Sequence, residues 1–525
     1  MGRDSVDLPT TSSGVVEVKS VADRALGRQF FLNSVFTALF YGFSLVIGLW
    51  YTRFTIHSLG IAMQAIIPVA SSFIAYMMFV TNGISGSVGR FVVADVARGD
   101  MAAANRTFNT FLVATERVSL ILLAAIAGIV WFVVPHLDYP PGQLNVTRFV
   151  FTAILGSGII QVWSMCFDSA IWVSGRIDIR NMILIVETGL RVATVYVLFT
   201  VSQPNLLFIG VACLVAPVGS FLLYFLAWKK LTPEFTINRK LFDIKRFGEI
   251  RNMGGWLLVL QIGGALQLNA DMILLNVMLG REIQGSYGVM LAWVNILRGL
   301  FMSMGALISP SLAAFQASEE TDKAADLSIR SVRMQGLLIA VPVGVLCGLA
   351  GPALNWWLGP AFTFLSPLAW LILVPLAIEG SFYPVGVLIQ LPKTIPFSAM
   401  ITVALGVINV VLGIVLVKFT DLGMYGIAYA VAITSFIRHG VVLPMYVARL
   451  LKRPWYTLLQ QQSQTVIQLG LTGAISLYAA HFLTGRSLPQ LVLVALLAGG
   501  VASIFALLQL NQSERMYLLK LVRRR

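Results

Sequence analysis

The stretch MGGWLLVLQIGGALQLNADMILLNVML (residues 253–279), followed by GREIQ (280–284) and GSYGVMLAWVNILRGLFMSMGALI (285–308), decides how the rest of the chain is interpreted. Each apolar segment is longer than the roughly 20 residues that a helix needs to cross a bilayer. The pattern therefore predicts two membrane-spanning helices joined by a tight polar turn.

Polar side chains interrupt both of these helices. Gln261, Asn269 and Asn276 recur at intervals of eight and seven residues, which places them on one helical face. Arg298 lies near the middle of the second helix, one turn after Asn295. An arginine at this depth costs on the order of 2.5 kcal/mol or more unless it faces protein, water or a counter-ion. We therefore expect the two helices to line a water-filled cavity.

The composition extends this interpretation to the whole chain. Of 525 residues, 58% are hydrophobic and 11% are charged, compared with roughly 25% charged residues in soluble domains. Apolar runs recur throughout, so we predict an all-α, polytopic membrane protein with about 14 spans. The predicted spans are 30–52, 65–86, 111–134, 149–174, 181–201, 205–228, 253–279, 285–308, 334–350, 364–390, 397–417, 423–448, 464–483 and 489–510.

The distribution of basic residues predicts the orientation. Most of the 37 Lys and Arg residues fall in segments on the same side as the N-terminus, which the positive-inside rule assigns to the cytoplasm. Both termini are then cytoplasmic. This rule explains the net charge of +14 without nucleic acid as a partner. The longest outer loop, 135–148, is too short to fold into a domain. No phosphate-binding Gly-Lys-Ser/Thr motif occurs in the sequence. The first 29 residues also lack a signal-peptide pattern.

A faint internal repeat predicts two lobes. A shift of 220 residues places Leu59-Gly60 on Leu279-Gly280, and the connector after span two on the connector after span eight. Six spans separate the copies, so the lobes are related by a pseudo-two-fold axis along the membrane normal. The predicted domains are a tail (1–29), an N-lobe (30–228), a linker (229–252), a C-lobe (253–448), two further spans (449–510) and a basic tail (511–525).

Some embedded charges have a partner within their own helix. Glu187 and Arg191 are four residues apart, so they can form an ion pair on one helical face or line part of a cavity wall. Asp168 can join that pair or carry a proton.

Arg298 and Arg438 have no acidic residue three or four positions away. One interpretation pairs them across helices with Glu379 or Asp271. The other makes an anionic ligand their counter-ion, since a guanidinium offers a fork of donors that suits phosphate oxygens. No group of His, Cys or acidic residues has metal-ligand spacing, and the three cysteines are interpreted as packing residues.

The segment Leu268–Leu275, with Leu279-Gly280 and Gly285–Gly288 after it, resembles the seventh-to-eighth helix region of polysaccharide transporters in the multidrug/oligosaccharidyl-lipid/polysaccharide exporter superfamily. The resemblance implies a flippase that moves polyprenyl-pyrophosphate-linked oligosaccharide from the inner to the outer leaflet of a bacterial plasma membrane by alternating access. It also implies that Arg298, with Arg438 and Arg191 as weaker candidates, holds the pyrophosphate. The first-helix arginines of the peptidoglycan-precursor relatives are missing here, apart from Arg53 at its outer end.

The resemblance further implies a non-enzymatic monomer without a cofactor, working among membrane lipids and alongside a polysaccharide polymerase. A proton or sodium ion can act as the counter-ion at one of four acids, Asp168, Glu187, Asp271 and Glu379. The nearest alternative is a cation-coupled drug exporter of the same superfamily, in which acids rather than arginines should dominate the cavity. A membrane-embedded polysaccharide polymerase or ligase is a further alternative. It is disfavoured because such proteins have a substantial outer loop that carries catalytic Arg or His, and no such loop is predicted here.

Overall fold

The computed structural model describes residues 12–391, 394–483 and 487–510, and these residues form helices and turns without any strand. The predicted all-α, polytopic fold is confirmed. The basic tail 511–525 lies outside the described residues. The helices are α1 Ser12–Leu59, α2 Ile66–Ala97, α3 Met101–Gly128, α4 Leu144–Val173, α5 Ile177–Val201, α6 Leu206–Leu231, α7 Ile244–Leu268 with Ala270–Leu279, α8 Arg281–Ala306, α9 Thr321–Gly348, α10 Ser366–Ser381, α11 Ile395–Phe419, α12 Met424–Ile437 with Leu443–Leu450, α13 Thr457–Ala480 and α14 Leu488–Gln509.

Among the described residues, twelve helices are long and apolar enough to cross a membrane. The other two predicted spans correspond to α2 and α13. The first part of α2 belongs to a shorter apolar helical stretch, Ile61–Met77. Glutamines lower the hydropathy of α13, and two of them are buried. Gln462 donates to the His439 carbonyl at 2.9 Å, and Gln468 donates to the Ala502 carbonyl at 2.7 Å. Because these amides are hydrogen-bonded inside the bundle, α13 is compatible with a membrane-spanning position.

The 220-residue repeat recurs in the backbone. Gly60 and Gly280 each precede a helical segment at corresponding positions of the repeat. The φ, ψ values are 79°, 160° for Gly60 and 87°, 168° for Gly280. Gly99 and Glu319, also 220 residues apart, both have positive φ, 78° and 57°. The lobes meet where α1 packs on α8 and where α2 packs on α7. A two-fold axis that exchanges α1 with α7 and α2 with α8 converts one contact into the other, as expected for a parallel repeat.

The helix α7 differs from the sequence prediction at both ends of its first segment. It begins at Ile244 rather than 253, because the Asp243 carboxylate accepts hydrogen bonds from the backbone of Lys245 and Arg246 at 2.8 and 3.2 Å. The backbone N–H groups of Arg246 and Lys245 also hold the pKa of Asp243 below its usual range. The helix is interrupted at Asn269, where φ is −128° and ψ is −11°, so 253–279 is not one continuous helix.

The predicted linker 229–252 is bound to the N-lobe. Asn109 of α3 donates to the Thr236 carbonyl at 2.8 Å and accepts from the Asn238 backbone at 2.7 Å. Arg246 donates to both oxygens of buried Asp95 at 2.8 and 2.7 Å. The first turns of α7 are therefore attached to the inner ends of α2 and α3.

The ends of the bundle can be distinguished by their turns. We call the end with the α1–α2 and α7–α8 turns the predicted outer end. There, Arg281 donates to the Asp138 carboxylate at 2.8 Å and to the Tyr139 carbonyl at 3.0 Å, and the Asp138 backbone donates to Asn276 at 2.8 Å. We call this cluster of Asp138, Asn276 and Arg281 the outer latch. It connects the α3–α4 loop of the N-lobe to the α7–α8 turn of the C-lobe.

Candidate functional site

Arg298 is the centre of a charged cluster in the C-lobe. Its Nε lies 3.5 Å from Oε1 of Glu379 on α10. The Tyr383 hydroxyl donates to the same carboxylate oxygen at 2.6 Å. Glu379 is 6% exposed, whereas the Arg298 side chain keeps 21% of its surface exposed. Of the two interpretations of Arg298, the structure contains the cross-helix pair, and part of the side chain stays accessible.

The helical face around Arg298 is open. Asn295 and Met302, about one turn to either side of it, are both exposed, and Met302 keeps 55% of its surface. On the opposite side of α8, Leu297 and Phe301 are buried in the C-lobe core. Arg298 therefore lies on the boundary between the packed core and an unpacked face of α8. Asn295, predicted to line a cavity, lies on this open face.

Arg438 has a neutral partner. Its Nη1 donates to Oε1 of Gln267 on α7 at 2.8 Å, and the Gln267 amide in turn donates to Ser435 at 3.3 Å. Arg438 begins a π-helical turn in α12, Arg438–Val442, a local form that is frequent at functional sites. Arg438 and the buried His439 lie within electrostatic range of the Glu379 carboxylate. Gln267 is absent from the sequence prediction because it does not share the predicted face with Gln261.

The N-lobe holds a second group of charges. Arg191 donates to Glu187 at 3.1 Å, the pair that their spacing allows, and the Arg191 side chain is 38% exposed. Asp168 does not join that pair. It accepts from Trp172 at 3.0 Å and lies 3.4 Å from Arg180.

Arg180 is a site residue that the sequence analysis missed. It lies one residue before the predicted fifth span, so it was counted among the inner loops, yet α5 begins earlier, at Ile177. Its side chain is 38% exposed and acts electrostatically on Tyr41 of α1. Tyr41 also contacts α8, since a Cβ added at Gly299 would be 3.0 Å from its ring. The Arg180 guanidinium itself lies over the Trp172 ring of α4, 5.5 Å from its centroid.

Asp271 is buried near the outer half of α7. Tyr287 donates to its Oδ2 at 3.2 Å, and its Oδ1 has no hydrogen-bond partner among the described residues. Oδ1 of Asp168 is likewise without a partner there. A buried carboxylate oxygen without a donor is a candidate position for a proton or a cation. No group of three or more His, Cys, Asp or Glu side chains with metal-binding geometry occurs within the described ranges.

The three polar residues predicted to share one face of α7 have different environments. Asn276 is buried in the outer latch, where it forms hydrogen bonds with the Asp138 backbone, so it lines no cavity in this structure. Asn269 occupies the interruption of α7. Gln261 and Asn269 are both partly exposed. The common stripe stays a prediction, and the helix on which it was drawn is interrupted at Asn269.

The fold is that of a polytopic α-helical membrane protein with charged side chains inside the bundle. No protein-family model matches the chain. The chain is 30% identical over 409 residues to the uncharacterized membrane protein EpsK of Bacillus subtilis, covering 78% of this chain and 81% of that protein. It is 24% identical to the probable flippase AglR of Haloferax volcanii, covering 89% and 93% of the two chains.

Solved structures show the same fold. An inward-facing multidrug resistance MATE family transporter of the MOP superfamily matches with a TM-score of 0.57 at 12% identity, over 84% of this chain and 96% of that one. The chain belongs to the family of EpsK, and the names of its relatives and of its structural neighbour agree with the transporter family that the α7–α8 segment resembles. The predicted family is confirmed.

Proposed function

We propose that the protein is a flippase that moves a polyprenyl-pyrophosphate-linked oligosaccharide from the cytoplasmic to the outer leaflet of a plasma membrane, for assembly of a cell-surface polysaccharide. The arrangement of Arg298 and Arg438 is the observation that carries this proposal. The two guanidinium groups bring two positive charges close to one carboxylate, Glu379. The remaining charge favours an anionic headgroup, and the open face of α8 leaves room for it to approach Arg298.

Arg180 and Arg191 extend this positive lining into the N-lobe. Both are more than one-third exposed, and each has only one acidic partner in the described part of the chain. A headgroup held between the lobes would then contact arginines from both. Such a site fits alternating access, in which the lobes rock around a central ligand.

The membrane potential supports this direction of transport. An anion leaving an inside-negative cell gains about 2.3 kcal/mol per charge at a potential of about 100 mV, and a pyrophosphate diester carries about two charges. A proton or sodium ion bound at Asp168, Glu187, Asp271 or Glu379 would add to this driving force. Asp168 and Asp271 are the stronger candidates, since each has a carboxylate oxygen without a donor among the described residues.

The Arg298 variants test the proposal. In proteoliposomes loaded with lipid-linked oligosaccharide, Arg298→Ala should lower the rate of translocation at least tenfold. Arg298→Lys should lower it to an intermediate level, because the ammonium keeps the charge but not the fork of donors. Wild-type rates in both variants would remove Arg298 from the mechanism.

The same preparation tests the cation-exporter alternative, which the unpartnered oxygens of Asp168 and Asp271 favour. Proton-driven movement of an organic cation such as ethidium, without movement of the glycolipid, would replace the flippase proposal.

A further inference from the structure

Glu379 has a position that the proposed binding role of Arg298 does not explain. A site that only attracted phosphate would not need a carboxylate on the same guanidinium. Yet Glu379 is buried, lies 3.5 Å from Arg298 and is held by the Tyr383 hydroxyl at 2.6 Å. The protein therefore supplies an anion of its own in contact with the arginine that would receive the headgroup.

On the helices packed against α10, the side chains named around Glu379 are either cationic or neutral. Arg298 comes from α8, and Arg438 and His439 come from α12. From α9, Gln335 donates its amide to the Phe301 and Gly380 carbonyls at 3.0 and 2.8 Å. From α13, Gln462 donates to the His439 carbonyl at 2.9 Å. These two amides are occupied by backbone carbonyls, so the charge of Glu379 acts mainly on the two arginines.

We propose that Glu379 is a resident counter-ion that competes with the headgroup phosphate for Arg298 and promotes its release. This inference rests on the proposed flippase function. In a buried site, opposite charges interact strongly, so two arginines without a competing anion would hold a pyrophosphate too tightly to let it leave. When the lobes rearrange, the Glu379 carboxylate returns to the guanidinium as the phosphate departs. Tyr383 is the positioning residue that keeps the carboxylate nearby.

The test uses the full chain in detergent and in proteoliposomes, with farnesyl pyrophosphate as a soluble probe of the headgroup site. Glu379→Gln should bind the probe at least tenfold more tightly than the wild type in calorimetry. The same variant should translocate lipid-linked oligosaccharide at least tenfold more slowly, because release is impaired. Glu379→Asp, which keeps the charge, should remain close to the wild type in both measurements.

Glu116→Gln is the matched control. Glu116 of α3 forms an ion pair with Arg239 at 3.2 Å in the N-lobe. The variant therefore removes one negative charge, as Glu379→Gln does, but at a position away from the site. It should leave probe affinity and translocation unchanged. A purely structural role for Glu379 predicts weaker binding in Glu379→Gln, since a disordered site loses affinity.

The outcomes separate this inference from the proposed function. Unchanged or weaker probe binding in Glu379→Gln, or undiminished translocation, overturns the release role. The double variant Arg298→Ala/Glu379→Gln should bind no more tightly than Arg298→Ala, and a persisting gain would mean that Glu379 does not act through Arg298. If Arg298→Ala itself binds and translocates like the wild type, the proposed function fails. If Arg298→Ala loses probe affinity and translocation but Glu379→Gln shows no gain in probe affinity, only the release role of Glu379 is overturned.

Discussion

Arg438 illustrates at the residue scale how the choice of partner determines the charge that remains in a buried site. Gln267 satisfies a guanidinium hydrogen bond at 2.8 Å but supplies no opposite charge. By contrast, Arg191 is neutralised by Glu187 on its own helix. The difference between an amide and a carboxylate at position 267 thus decides whether Arg438 contributes a net positive charge to the cluster.

A carboxylate at position 267 should therefore weaken anion binding. Gln267→Glu provides Arg438 with a counter-ion while keeping the side-chain length, so we expect the affinity for farnesyl pyrophosphate to fall at least tenfold in calorimetry. Gln468→Glu is the matched control, because Gln468 is equally buried but lies between α13 and α14. Equal losses in the two variants would show that Arg438 does not contribute to the site.

Sequence reasoning at this scale succeeded where partners are close in the chain. The Glu187–Arg191 pair follows from a spacing of four residues. The pairing of Arg298 with Glu379 was one of two open interpretations, and the contacts of Arg438 with Gln267 and of Asp168 with Arg180 were not predicted. Those contacts join different helices, and no local periodicity encodes which faces of two helices will meet.

At the scale of elements, α13 is an integral part of the C-lobe. Gly336, Gly344 and Gly348 of α9 face Thr465, Thr472 and Ser476 of α13, and a Cβ added at each glycine would meet these side chains at 2.0 to 2.6 Å. Small residues allow the two backbones to approach closely, as is common in membrane helix pairs. By contrast, α14 is mostly exposed.

This packing can be tested with one methyl group. Gly344→Ala would place its Cβ 2.6 Å from the Thr472 Cβ, so the helices must separate, and we expect a loss of about 1–3 kcal/mol in the free energy of unfolding. The measurement is the thermal unfolding midpoint of the purified protein in detergent. Gly470→Ala on α13 is the control, because no atom lies within 4 Å of its added Cβ. Similar midpoints for the two variants would contradict the close approach.

At the scale of the whole molecule, the described contacts between the lobes include several at the predicted outer end. Besides the outer latch, Gln284 donates to the Ala65 carbonyl at 3.0 Å, and Trp357 donates to the Leu49 carbonyl at 2.8 Å. Together they connect α1, α2 and the α3–α4 loop to the C-lobe. These contacts therefore join the two lobes at the predicted outer end.

Removing the outer latch should shift the population of states toward opening at this end. Asp138→Ala eliminates both hydrogen bonds between its carboxylate and Arg281, at 2.8 Å each. We expect a larger fraction of long distances between spin labels at positions 143 and 422, which lie at the outer ends of the N-lobe and the C-lobe. Asp421→Ala, an exposed acid at the same end, is the control. An unchanged distance distribution in Asp138→Ala would show that the latch does not hold the lobes together.

The sequence by itself determined the elements and their order: hydropathy identified the spans, the 220-residue repeat related the lobes, and the α7–α8 segment indicated the family. These properties depend on local composition and on motifs that are contiguous in the chain. The tertiary structure decided the pairing of Arg298 with Glu379, the contact of Arg438 with Gln267, the interruption of α7 at Asn269 and the burial of Asn276 in the outer latch. Each of these depends on which helices lie side by side, and packing between helices distant in the chain sets that arrangement.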